Sequence, residues 1–280
     1  MIGPLTRMMW LVPVAALLLA GCQPQRRGDE LVVEPNVAAI TVTADYASRA
    51  LEATGGLPAW GRTIRLQRDG VVTFYQPDGS VYLTEHHLDI YPWSSSVRIV
   101  AREPSGRVVW QLSRGRFSVL QRDPRVDLSV MPVQGRDYAE AILHIMTAPV
   151  RFLDASAKFV RGPDPVKMQG LWYYPLERVR VLEQEAPAAT KQEDGESVEE
   201  PGFAEVPPYW SRIVLYQNPE SSLVDLLWLV DVDEGKFLLV RGYDYDQLEK
   251  DGVLLPTKVE IFRTDARAIS KERVVTIDLK

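Results

Sequence analysis

From Arg62 to Leu120 the chain alternates apolar and polar residues in short windows separated by turn-forming residues. In "RTIRLQRDGVVTFYQ" the apolar positions Ile64 and Leu66, then Val72 and Phe74, keep a period of two, the repeat of a half-buried strand. Pro77-Asp78-Gly79 follows, a turn in which proline presets φ and glycine accepts the positive φ that comes next. "SVYLTEHHLDIYP" and "SSVRIVAREPSGRVVWQLSRGRFSVL" repeat the plan, the second around Pro104-Ser105-Gly106. The C-terminal half continues through "VKMQGLWYYPLERVRVLEQ" and "YWSRIVLYQNPESSLVDLLWLVDVDEGKFLLVRGYDYD", with turns at Asn218-Pro219-Glu220 and Asp233-Glu234-Gly235. "LPTKVEIFRTD" and "RVVTIDLK" close the series. Some ten strands joined by short turns predict a large antiparallel sheet that must curve, because a flat sheet of that size curls or splits. Two segments change period. "TADYASRALEATGG" reads as a helix capped at Thr43 and stopped at Gly55-Gly56, and "DYAEAILHIMTAPVRFLDAS" as one capped at Asp137 and ended or kinked by Pro149. The class is therefore α+β, with a few helices on one face of the sheet.

The N-terminus follows neither period. A single charge, Arg7, precedes an apolar run from Met8 to Ala20, too short to span a bilayer comfortably. The run ends in Leu19-Ala20-Gly21-Cys22, which resembles the bacterial lipoprotein signal. That resemblance implies cleavage before Cys22, acylation of its thiol and residues 1–21 as a removed signal. Palmitate-type chains on Cys22 would then hold the protein to the membrane, since two chains already anchor stably. Gln23, where inner-membrane lipoproteins carry aspartate, implies the outer membrane, facing the periplasm. Residues 22–40 read as a tether and 41–280 as one large domain.

Charge adds one boundary. The chain carries −6, or about −7 without Arg7, and Glu183 to Pro208 accounts for nearly all of it with eight acidic residues against one lysine. Such a composition buries too little apolar surface to offset ordering, so this stretch reads as an acidic disordered insertion between strands. The remainder is near neutral, which gives nucleic acid no footprint. Cys22 is the single cysteine, leaving the mature fold without disulfides.

Candidate chemistry is sparse. His86 and His87 are adjacent on a strand and project to opposite faces, so they cannot share one metal. His144 lies on the second helix, and a hydrogen-bonded histidine is the reading preferred over a metal ligand at any of the three. Asp231 to Gly235 has the opening of a calcium loop without its later ligands and reads as a hairpin turn. No nucleophile elbow or phosphate-cradling glycine loop is present, so neither enzyme activity nor a cofactor is expected. Aromatic residues are abundant along the strands: Trp60, Trp93, Trp110, Trp172, Tyr173, Tyr174, Tyr209, Trp210 and Trp228. They suit a ligand cavity and an ordinary β core equally.

The stretch "EATGGLPAWGRTIRLQRDG", the mid-chain helical excursion and the late "LVRGYDYDQLEKDGVLLPTKVEIFRTD" resemble the lipoprotein-localisation superfamily, the LolA/LolB-like domains. The resemblance spans about Val42 to Asp278 in order of elements. It implies an unclosed β-barrel, a half-barrel whose concave face is covered by helices and holds acyl chains. No segment aligns residue by residue with that family's functional side chains. Alternation alone nominates Ile64 and Leu66, Leu227 and Leu229, and Val259 and Ile261 as the inward-facing cavity lining. The expected function is a membrane-anchored envelope lipoprotein that binds or carries a hydrophobic ligand, the acyl chains of a lipid or lipoprotein. The alternative is a structural or assembly lipoprotein that docks an envelope protein partner.

Replacing Cys22 with serine should abolish metabolic incorporation of radiolabelled fatty acid into the chain. Label retained by the Cys22→Ser protein would remove the basis for an acyl anchor.

Overall fold

The computed structural model describes residues 37–154, 157–180, 209–248 and 252–280. Cys22, the signal and most of the tether, and the acidic stretch 183–208 lie outside the described residues. Helices α1 (Val37–Ala53) and α2 (Gly56–Arg62) lead into strands β1 (Leu66–Tyr75), β2 (Val81–Tyr91), β3 (Ser96–Glu103), β4 (Gly106–Ser113) and β5 (Arg116–Arg122). A helical excursion follows, α3 (Gly135–Met146) and α4 (Ala148–Arg151). The chain then returns through β6 (Ala157–Arg161), β7 (Val166–Met168), β8 (Leu171–Arg180), β9 (Arg212–Gln217), β10 (Val224–Asp231), β11 (Lys236–Gln247), β12 (Leu254–Thr264) and β13 (Ser270–Leu279).

All strands belong to one antiparallel sheet in the order β5-β4-β3-β2-β1-β13-β12-β11-β10-β9-β8-β6, with β7 folded back on β8. β5 and β6 stand at opposite ends of that order, so the barrel does not close. Its curvature is visible in the packing of α3, which touches β3 and β4 from one half and β10, β11 and β12 from the other. A helix can reach both halves of one sheet only if the sheet wraps around it. This is the half-barrel that the resemblance implied.

The concave face carries the main core. Val72, Phe74, Leu88, Ile90, Ile99, Leu227, Leu229, Val259, Ile261 and Ile277 all point into it and are buried against α3 and its neighbours. Complete burial of each such side chain contributes roughly 1.5–3 kcal/mol. A smaller cluster sits on the convex side, where Leu226, Trp228 and Val230 of β10 pack with Tyr173 and Tyr216 beside the β7–β8 hairpin. That second layer explains why "VDLLWLVD" is apolar without alternation: β10 is buried on both faces.

Four local expectations are corrected. α1 starts at Val37, so Thr43 is inside it rather than its cap, and residues 37–40 are helix within the stretch assigned to the tether. Gln134 occupies the N-cap position of α3 without a side-chain capping bond, and Asp137 falls in the first turn, where its carboxylate accepts a hydrogen bond from the Tyr209 hydroxyl. Pro149 opens α4 rather than merely ending α3, since proline fits a first helical turn that needs no N–H bond. The Gly55-Gly56 stop holds, but "GLPAWGR" then forms α2, which the alternating pattern did not predict. Gly55 is required there. Its φ is +107°, and a Cβ would come within 2.9 Å of the Gly252 carbonyl oxygen.

Asp225 on β10 is half-buried beside Tyr173, Asn218 and Arg241, and desolvation raises its carboxyl from 3.8 to about 6 against the opposing hydrogen bonds and Arg241. The folded state therefore holds the proton more tightly than the unfolded chain does. Its stabilising effect is complete below pH 4 and is lost as pH rises through about 6. Urea unfolding should show this group costing on the order of 2–3 kcal/mol between pH 4 and pH 7. Asp225→Asn should flatten that slope, and an unchanged slope would show that the carboxyl is not desolvated.

Candidate functional site

Five of the six nominated lining residues, Leu66, Leu227, Leu229, Val259 and Ile261, are completely buried on the concave face. They are brought together under the helices as buried core, and they line neither the pocket beside Tyr82 and Met131 nor the small one beside Trp60 and Pro149. Ile64 is the exception. It is 77% exposed and precedes β1, because α2 runs to Arg62 and the alternation begins at Leu66. The aromatic residues divide likewise: Trp60 and Trp110 fill the main core, Tyr173 and Trp228 the convex cluster, while Trp93 and Trp172 face solvent.

Open space lies instead at one end of the concave face. A pocket of about 230 Å³ is walled by Tyr82 of β2, Glu103 of β3, and Val126, Leu128, Val130 and Met131 of the segment that leaves β5. That segment is held in place by its own polar groups. The Asp123 amide donates to the Arg107 carbonyl, and its carboxylate accepts from the Arg125 amide and guanidinium at 2.9–3.1 Å. Asp127 caps a 3₁₀ turn, Leu128–Val130, by accepting from the Ser129 amide at 2.9 Å. Arg122 Nε donates to the Val126 carbonyl at 2.9 Å, and Gln76 Nε2 reaches the Val130 carbonyl at 2.6 Å. With its backbone so occupied, the segment turns Val126 and Leu128 toward the sheet and forms the outer wall.

The inner wall is polar where an apolar core would be expected. Inward alternation on β2 runs Tyr82, Thr84, His86, Leu88 and Ile90, and on β3 Val97, Ile99, Ala101 and Glu103. His86 is fully enclosed, with Nδ1 3.0 Å from the Tyr138 hydroxyl of α3 and Nε2 3.7 Å from Glu103 Oε1. Phe74 stacks on Tyr82 at 4.9 Å between ring centres, and Trp110 and Tyr138 meet the imidazole edge-on. Burial pulls the His86 imidazole below its ordinary value, partly opposed by Glu103, so the ring stays neutral at pH 7. Burial, reinforced by the Glu103 charge, pushes the Tyr82 phenol well up. Tyr82 Oη is buried without a hydrogen-bond partner, while His86 Nε2 and Glu103 Oε1 face each other as a buried pair.

His86 and His87 do project to opposite faces, His87 reaching Asp69 at 2.8 Å and Asp89 at 3.3 Å on the outer side. His144 pairs with Glu140 one helical turn away, at 3.4 Å, and shares no partner with His86. Among the described residues no group of three histidine, cysteine or acidic side chains is placed to hold a metal. Asp231 to Gly235 is the hairpin turn between β10 and β11, with Asp231 Oδ1 accepting from the Asp233 and Glu234 amides. Sequence reasoning missed Glu103, Tyr138 and the 123–131 wall. A signal existed for the first: counting alternate residues from Val97 places a carboxylate on an otherwise apolar face.

No family model and no curated protein matches the chain. Among solved structures it is similar to a LolA superfamily protein from Nitrosomonas europaea, at 14% identity over 85% of this chain and 91% of that one, TM-score 0.49. It is also similar to a DUF1329 family protein from Desulfovibrio piger, at 11% identity over 86% and 91%, TM-score 0.45. A domain described as an outer membrane lipoprotein-sorting protein from Vibrio parahaemolyticus matches at 7% identity over 87% and 91%, TM-score 0.45. None reaches a TM-score of 0.5, and the function proposed below rests on the geometry and the sequence.

Crowding separates packed core from open pocket. Leu229→Trp, in the packed concave core, should cost about 1–3 kcal/mol by urea unfolding. Met131→Trp, on the pocket wall, should cost less than about 1 kcal/mol because there is space to receive the ring. Equal costs would show that the pocket is not available in solution.

Proposed function

We propose that this chain is a lipid-anchored protein of the cell envelope that binds an apolar group of a lipid or lipoprotein at the end of its half-barrel. One observation carries the reading: the sheet is plugged by helices along most of its concave face and left open where Tyr82, Val126, Leu128, Val130 and Met131 enclose about 230 Å³. A predominantly apolar pocket with a few convergent polar groups is what a small amphiphile requires. The volume falls below the roughly 300–1,000 Å³ of pockets that engulf a whole drug-sized ligand. The pocket therefore suits one end of an amphiphile, with the remainder lying outside. The lipoprotein signal at Leu19 to Cys22 supports an anchored protein, and no described helix is long and apolar enough to cross a membrane.

Native mass spectrometry of the protein isolated from cell envelopes, in wild-type and Met131→Trp forms, tests this. The wild type should carry an amphiphile that the variant lacks. Bare protein in both forms, with an envelope protein retained by both, would favour the docking alternative.

A further inference from the structure

We infer that the free edge of β5 is a docking site for a protein partner, which adds an extended segment, acidic at its ends and apolar between them, as a further strand of the sheet. This surface is separate from the amphiphile pocket and does not rest on it.

The two ends of the sheet differ in cover. α1 packs on β6, whereas β4 is the one element packed closely against β5 among the described residues. The β4–β5 hairpin fixes which backbone groups face outward. Arg114 and Gly115 have φ of +49° and +73°, a two-residue turn that makes Ser113 and Arg116 the first hydrogen-bonded pair. Bonded and non-bonded pairs alternate from there, so Gln111 and Ser118 exchange hydrogen bonds while Leu112 with Phe117 and Trp110 with Val119 do not. The N–H and C=O groups of Phe117 and Val119 therefore point away from β4, and no described backbone group meets them there. Outward groups of this kind are what an added strand pairs with.

Side chains along this edge define the partner. Val119 and Leu120, mid-strand, are 44% and 53% exposed, so an apolar segment laid beside them would bury surface on both sides. Leu120 is the extra residue of a bulge, since Val119 pairs with Trp110 and Gln121 with Val109. Charge stands at the two ends: Arg114 and Arg116 at the turn, Arg107 and Arg122 at the other. Arg107, Arg114 and Arg116 are exposed, and none of them is in an ion pair among the described residues. Arg122 is engaged by the Val126 carbonyl and the nearby Asp127, and Asp123 is neutralised by Arg125. Two β5 edges laid antiparallel would set arginine against arginine, which excludes pairing with the same strand of a second copy. Because the charges flank an apolar middle, they select an incoming strand by its sign, and a carboxylate at each end is the complement.

The probes are fluorescein-labelled peptides: EEVTVTEE, its basic counterpart KKVTVTKK, and EEVPVPEE, which keeps the charge but lacks the N–H groups of a ladder. Anisotropy is read with the full-length chain in phosphatidylcholine nanodiscs, with empty nanodiscs as reference. EEVTVTEE should bind at least about tenfold more tightly than either of the others, and should weaken between about 50 mM and about 500 mM salt. Arg114→Glu combined with Arg116→Glu should reverse the preference toward KKVTVTKK at an unchanged melting temperature. Val119→Pro, which removes one outward N–H and no bond to β4, should weaken EEVTVTEE at least about tenfold. No binding of EEVTVTEE, equal binding of EEVPVPEE, or a charge preference that survives the double arginine substitution would overturn the inference. Binding by a variant lacking residues 183–208 but not by the whole chain would assign the edge to the chain's own acidic stretch, and would equally overturn a partner's claim to it.

Discussion

The ladder between β1 and β13 pairs Gly70 with Leu279 and Phe74 with Val275, bringing together strands some two hundred residues apart. Everything else depends on that ladder. Without it the chain is two antiparallel meanders, β1 to β5 and β8 to β13, each built from near neighbours and each with an uncovered apolar face. With it they become one sheet long enough that strand twist must curl it. Closing so long a loop costs entropy that grows only with the logarithm of its length, so the ladder and the burial that it permits can offset it.

Curling creates a concave face, and α3 occupies it. Every residue of α3 from Asp137 to Met146 is buried, including Glu140 and His144, which is unusual for a helix of mixed sequence. Its polar residues are accommodated by pairing: Asp137 accepts from Tyr209, Glu140 faces His144, and Tyr138 meets His86. Unpaired, each would carry a desolvation cost that the helix could not offset from apolar contact alone. The same helix that seals the middle of the concave face therefore also sets the inner boundary of the open end, through Tyr138.

The pocket at that end is a consequence of unequal coverage. α3 packs on β3 and β4 as well as on β10, β11 and β12, but beside Tyr82 and Glu103, at the ends of β2 and β3, the cover is a loop stiffened by aspartate-centred turns. A loop engaged with its own backbone leaves the Tyr82 hydroxyl unpaired beside an apolar wall, while His86 and Glu103 pair with each other behind it.

Much of the architecture is written locally. Period-two alternation, the Pro77-Asp78-Gly79 and Pro104-Ser105-Gly106 turns and the Gly55-Gly56 stop follow from nearest-neighbour preferences, and the structure carries all of them, whereas on β10, buried on both faces, no local pattern tells Leu227 and Leu229 from Leu226 and Trp228. Ile64 failed because α2 interrupts the alternation one turn before the strand begins, and tertiary packing around Trp60 rather than helical periodicity sustains those seven residues. The site belongs to the other category. Glu103 is separated in sequence from Tyr138 and from Val126 to Met131, and alternation can state only that its side chain faces inward, not what it faces. Whether an inward position becomes sealed core, as at Leu229, or pocket wall, as at Tyr82, depends on what covers it. That is decided by which parts of a distant helix and loop reach across the curved sheet, a long-range packing outcome that no local pattern contains.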